Sequence, residues 1–299
     1  MMTMIESWFI PSDILMIIFL SLGMILSLIF LCIIIIDKEC HTTFFILIGN
    51  TCVATFLFGF NMLFMVIFTL TNDIKQIEYQ DRHCILRAYI GYVTCPAYNY
   101  SFLLQSIYRY LTVVHPNRPF WQSIKFQILL LMSTWIFCFI YPFVFLFKNE
   151  IIYLVDNQIC QLPLQGSFYM LYLTSNAYVI PISLVVFIYI KLIRYVRQMS
   201  KRVVSANVLL RARKELQMVR RIVILAMILV VVCLPYEIYA IMSLFTNPPK
   251  YYFRIAYLFQ DLSYALVMIC LFQFTGPVKT YIMKKLKRPT DIIDVARIA

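Results

Sequence analysis

Of 299 residues, 62% are hydrophobic, 16% aromatic and only 13% charged, with a net charge of +12, whereas about a quarter of a soluble domain is charged. This composition excludes an ordinary soluble domain. The basic excess flanks apolar runs and forms no clustered patch, so it reads as membrane topology and attraction to anionic lipid, not nucleic-acid binding.

Taken in chain order, residues 1–12 form a short external segment without a basic start, so no cleavable leader is expected and the first apolar run serves as its own insertion signal. A bilayer needs about 20 apolar residues per helix, and the sequence offers seven such runs, at 13–36, 43–70, 84–114, 123–147, 168–193, 219–245 and 251–275. An odd number puts the termini on opposite sides. With the N-terminus outside, all but Lys75, Arg82, Arg87, Lys148, Lys250 and Arg254 of the 26 Lys and Arg residues fall inside, as cytoplasmic loops require. Short linkers keep successive spans adjacent, and no repeat or second domain interrupts 1–299. Pro96, Pro142, Pro181 and Pro235 lie within spans, where each removes a backbone donor and favours a kink. After the seventh run, GPVKTYIMKKLKRP alternates apolar and basic faces at helical spacing, which predicts a short amphipathic helix on the inner leaflet within the tail 277–299. The expected fold is all-α, a seven-transmembrane bundle.

Of nine cysteines, Cys84 at the start of the third run and Cys160 in the second external loop face an oxidising compartment, where a disulfide between them would persist. Asn99-Tyr100-Ser101 matches a glycosylation triplet but falls in the middle of the third run, where no sugar is added.

These residues resemble the rhodopsin-like family of G-protein-coupled receptors over roughly 13–288. Cys84 precedes Arg109 by the family's interval, and Tyr108-Arg109-Tyr110, followed by VVHP, stands at its Asp-Arg-Tyr motif. Trp135, Pro181, Tyr189 and Pro235 match marker positions of helices four to six, and Glu215 stands where the family often places an acid that pairs with the motif arginine. The chain also departs from the pattern: Tyr108 replaces the motif aspartate, Thr55 the second-helix aspartate, and Cys233 the sixth-helix tryptophan. The Asn-Pro-x-x-Tyr motif falls over Met268-Ile269-Cys270-Leu271-Phe272. A sodium ion bound by the second-helix acid is not expected. The resemblance implies a plasma-membrane receptor for an extracellular ligand, coupled to a heterotrimeric G protein, with no cofactor and no resident metal.

At ~1.5 Å per residue, Arg109 lies about 37 Å below Cys84, at the cytoplasmic mouth. Two readings stand there. Arg109 and Glu215 form a latch between helices three and six, with Tyr110, Tyr189 and the kinks at Pro181 and Pro235 serving the switch; or Arg109 is a snorkelling surface cation. Deeper, Glu237 and Asp261 sit at matching depths, with Tyr92, Tyr236 and Tyr257 as aromatic walls of a ligand cavity and Arg87 one helix away. Again two readings stand: an acid binds a cationic group of the ligand, or both are protonated or neutralised by Arg87. Gly91 stands where amine receptors of the family carry their aspartate, which favours a peptide ligand over a monoamine.

His41, His83 and His115 show no metal-ligand spacing, and the chain has no Gly-rich phosphate loop or nucleophile elbow, so no enzyme is expected. A seven-helix transporter or channel is the alternative, because Glu237, Asp261 and Arg87 would suit an ion path. The missing paired repeat and the lack of glycine-broken half-helices argue against it.

Overall fold

The computed structural model describes residues 8–37, 42–164, 168–201, 206–243, 245–246 and 249–274; the side chains of several residues in the sixth helix, Glu215, Cys233 and Glu237 among them, lie outside this description. Seven long helices run through it: α1 Phe9–Ile36, α2 Thr43–Lys75, α3 Cys84–Val114, α4 Ile124–Ile140, α5 from Phe168–Thr174 through a π-helical turn Ser175–Val179 to Ile180–Lys201, α6 Ala206–Met242 and α7 Tyr252–Phe274. Five of them, α1, α2, α4 with its continuation to Phe147, α5 and α7, are long and apolar enough to cross a membrane. At ~1.5 Å per residue, α3 and α6 are longer than a bilayer core is thick; α3 carries more polar side chains along its buried face. Large aliphatic residues such as Ile18, Ile25 and Leu129, and the ring of Phe187, face outward in the lipid-facing belt such a bundle needs.

Several elements differ from the sequence expectation, α2 and α5 running on to Lys75 and Lys201 among them. Helix α1 begins at Phe9, not residue 13, because Pro11 falls in its first turn, where a backbone N–H has no helical partner to lose, and Phe9, Ser12 and Asp13 are buried. Helix α6 begins at Ala206, well before the apolar run at 219; RARKELQMVRR is made mostly of strong helix formers, so the helix continues past the apolar stretch. The second external loop departs from the all-α expectation by forming an antiparallel hairpin, β1 Ile152–Leu154 and β2 Ile159–Gln161, with Tyr153 opposite Cys160. The amphipathic helix expected after α7 falls outside the described residues.

Two in-helix prolines have their costs met by specific side chains. Pro96 cannot donate to the carbonyl of Tyr92, four residues earlier, and the Tyr141 hydroxyl donates to that oxygen at 2.6 Å. Pro181 likewise leaves the Ala177 carbonyl without its helical donor, and the Asn99 amide of α3 donates to it at 2.7 Å. Asn99 is therefore a buried helix-to-helix tie, which gives the rejected glycosylation triplet its structural role. On α4, the Trp135 indole donates to Asn50 Oδ1 of α2 at 2.8 Å.

In the core, Tyr264 of α7 pushes between α1 and α2. A Cβ at Gly59 would come within 2.8 Å of its Cζ, and one at Gly23 within 2.6 Å of its Cδ1. The Tyr264 hydroxyl donates to the Thr55 carbonyl at 3.0 Å. Thr55, where the family's second-helix acid would stand, donates through Oγ1 to the Thr51 carbonyl at 2.6 Å, and Gln105 of α3 donates to Thr51 Oγ1 at 2.7 Å.

Candidate functional site

At the end of the bundle that carries the hairpin, Cys84 and Cys160 are joined, their Cα atoms 5.5 Å apart. The bond seats β2 against α3, and the next residue, Gln161, turns inward. Its side-chain oxygen accepts from the Tyr92 hydroxyl, its amide donates to the Tyr257 hydroxyl, and the Leu162 N–H donates to Tyr92 Oη at 2.9 Å. One loop residue thus links α3 to α7.

Beneath this bridge lies a cavity. Tyr92, Tyr236, Tyr257 and Arg87, all singled out in the sequence, line it, together with Gln161 and Gln260. The π-helical turn of α5 contributes Ala177 and Tyr178 to the wall; such turns widen a helix locally and recur at functional sites. The mixture of aromatic wall and a few polar groups suits a small molecule or a peptide end.

The acids are placed differently from the aromatics. Asp261 is fully buried, but it is not among the cavity's lining residues, its neighbour Gln260 taking that place; neither of its oxygens has a hydrogen-bond partner. Glu237 belongs to α6, with its side chain outside the description. Arg87 does not neutralise Asp261. It holds Asp81 with two hydrogen bonds of 2.8 and 2.7 Å and lies over the Phe68 ring at 4.6 Å. The local pair wins because Asp81 is only six residues away, just before the first turn of α3.

At the opposite end, Arg109 is buried, which removes the reading of an exposed snorkelling cation. Its guanidinium lies 3.4 Å from the centre of the Phe44 ring and 5.9 Å from that of Tyr108, a cation–π arrangement that is stronger when shielded from water. Tyr110 and Tyr189 pack with Leu216 of α6 on a cluster of Val113, Leu192 and Val196. Thus α3, α5 and α6 meet beside Arg109. Whether Glu215 reaches it falls outside the described side chains. Pro235 is half-buried in α6.

One charged site escaped the sequence reading. Arg254 of α7 donates to both oxygens of Asp73 at 2.6 and 3.0 Å, lies 3.7 Å from Asp13 of α1, and stacks over Phe9 at 4.1 Å. All three ionisable groups are buried. A signal was present: by the ~1.5 Å rise, Asp13, Asp73 and Arg254 each lie within about 6 Å of the same end of their helices.

Seven helices, a disulfide-anchored loop over an aromatic cavity and a buried arginine at the far end define a seven-transmembrane receptor. The sequence matches the profile of the 7 transmembrane receptor (rhodopsin family) over residues 27–272, and the chain belongs to that family. No curated protein sequence matches it significantly. Among solved structures, it is similar to squid rhodopsin, with 14% sequence identity, a TM-score of 0.78, and coverage of 94% of this chain and 86% of that one. That likeness bears on the fold alone.

Proposed function

We propose that residues 1–299 form one receptor unit that binds an extracellular ligand, a peptide or another cationic ligand being favoured, and signals to a heterotrimeric G protein at the Arg109 end. The N-terminus is then outside, the tail inside and the protein in the plasma membrane, an orientation supported by the distribution of lysine and arginine. The observation that carries the reading is the cavity beneath the Gln161 bridge, where a bound ligand touches α3, α5, α6 and α7 together. A ligand acts by the difference in its affinity for two arrangements of those helices. The kinks at Pro181 and Pro235 let the Arg109 ends of α5 and α6 move, and the basic sequence between Lys191 and Arg221 suits docking of a partner helix.

The test is nucleotide exchange on purified G proteins by the full-length protein in nanodiscs. Accelerated exchange is expected, and Glu215→Ala should raise the basal rate by freeing Arg109. No exchange with any G-protein class would overturn the coupling; a basal rate unmoved by Glu215→Ala would overturn the latch alone.

A further inference from the structure

Phe44 stands in the first turn of α2, and Arg109 near the end of α3. The guanidinium carbon is 3.4 Å from the centre of the Phe44 ring, the separation of two flat groups in van der Waals contact. The Phe44 ring in turn stacks on Tyr108 at 6.4 Å, with 21° between the planes. Tyr108 replaces the acid of the family motif, so the electron-rich groups beside the cation are ring faces where a carboxylate would be expected. The ring's place is fixed from both sides. Gln105, about one turn back along α3 from Arg109, donates to Thr51 Oγ1 of α2 at 2.7 Å, and Trp135 of α4 donates to Asn50 Oδ1 of α2 at 2.8 Å. With no proline between Thr43 and Lys75, α2 also lacks the kinks that α5 and α6 carry.

A guanidinium lying on a ring is held by its face, while its N–H groups, which lie in its own plane, stay available to acceptors around it. A ring on α2 and an acid on α6 would therefore hold different parts of the same group. Arg109 is buried, so it must come off the ring before it can reach a partner protein beyond the helix ends. Leaving a shielded cation–π contact is harder than leaving an exposed one. When α5 and α6 move, α2 stays tied to α3 and α4, and the ring stays with it. We propose that Phe44 is a positioning residue that seats Arg109 in the resting receptor, and that signalling requires Arg109 to leave that seat. This inference rests on the receptor reading above and deepens it: part of the restraint on Arg109 lies on α2 and acts independently of Glu215.

The test uses the full-length protein in nanodiscs, with Phe44 replaced in turn by phenylalanines carrying one, two and three ring fluorines. Fluorine draws negative charge from the ring face, on which the attraction depends, and changes the shape little. Basal nucleotide exchange on purified G proteins is read alongside the thermal unfolding midpoint measured without any G protein. Each added fluorine should raise the basal rate, to about 10-fold with all three, and lower the midpoint. Phe44→Leu should exchange at least as fast as the trifluoro protein, and Phe44→Tyr, which keeps a ring face, should stay near wild type. In Arg109→Met protein the midpoint should no longer follow the fluorines, which separates the cation contact from ordinary packing. Should Phe44→Leu not fold, the fluorinated series decides. A basal rate that is flat across that series overturns the proposal, and so does a falling one, which would mean that Phe44 presents Arg109 to the G protein. The series should act in Glu215→Ala protein as well; a flat response there would leave the acid as the only restraint and overturn the independent role of Phe44. An Arg109-dependent response of the midpoint in a protein that drives no nucleotide exchange would keep the seat and overturn the coupling.

Discussion

Asn99 and Tyr141 show how single side chains make helix-breaking residues tolerable in a membrane. Each caps a carbonyl that a proline leaves open, Asn99 for Pro181 and Tyr141 for Pro96. In hydrocarbon no water can take over that bond, so losing the donor strands a buried acceptor at about 1–3 kcal/mol. Asn99→Leu should destabilise the folded protein by that amount, read as a lower unfolding midpoint. Pro181→Ala in the Asn99→Leu background should recover part of the loss, because residue 181 regains an N–H for the Ala177 carbonyl. A double mutant no more stable than the single one would show that the bond does not serve the proline. The sequence displayed all three residues, but reading Asn99 as a tie requires knowing which helix face meets which, and Asn99 and Ala177 are 78 positions apart.

Among the elements, α1, α2 and α7 are joined at two levels: by Tyr264 between Gly23 and Gly59 in the core, and by Asp13, Asp73 and Arg254 near the hairpin end. Small residues let membrane helices approach closely, and here they admit a large ring instead. Gly59→Val should cost about 1–3 kcal/mol through overpacking, visible as a lower unfolding midpoint. Tyr264→Ala in the same protein should relieve the clash, so the pair will not be additive; independent costs would mean that Gly59 matters for another reason. The helices themselves were legible because length and apolarity suffice to mark a span. Tyr92, Tyr236, Tyr257 and Arg87 could be placed near one cavity by counting down each helix. The Arg254 site could not, since its salt bridge closes over 181 residues and single acids near helix ends look like ordinary loop charges. Gln161 was hidden for a different reason: only a hairpin, which the loop's composition does not announce, turns it inward.

At the scale of the whole molecule, the hairpin is the one described element that touches both the cavity and the helices around it without being a span. The disulfide fixes β2 to α3, and Gln161 carries that constraint across to α7 through Tyr92 and Tyr257. Two roles for the bond can be separated. If it serves only to hold the chain together, Cys160→Ser should cost stability, typically about 2–4 kcal/mol for a disulfide, while Gln161→Leu, which keeps the disulfide, should leave ligand affinity unchanged. If its purpose is to present Gln161, the two variants should weaken ligand binding to a similar degree, and the double variant should be no worse than Cys160→Ser alone. The second pattern is expected, because two residues acting through one contact are not additive and Gln161 is the next residue after the disulfide. Additive losses of affinity in the Cys160→Ser, Gln161→Leu and double-variant series would instead assign the disulfide and the bridge to separate tasks.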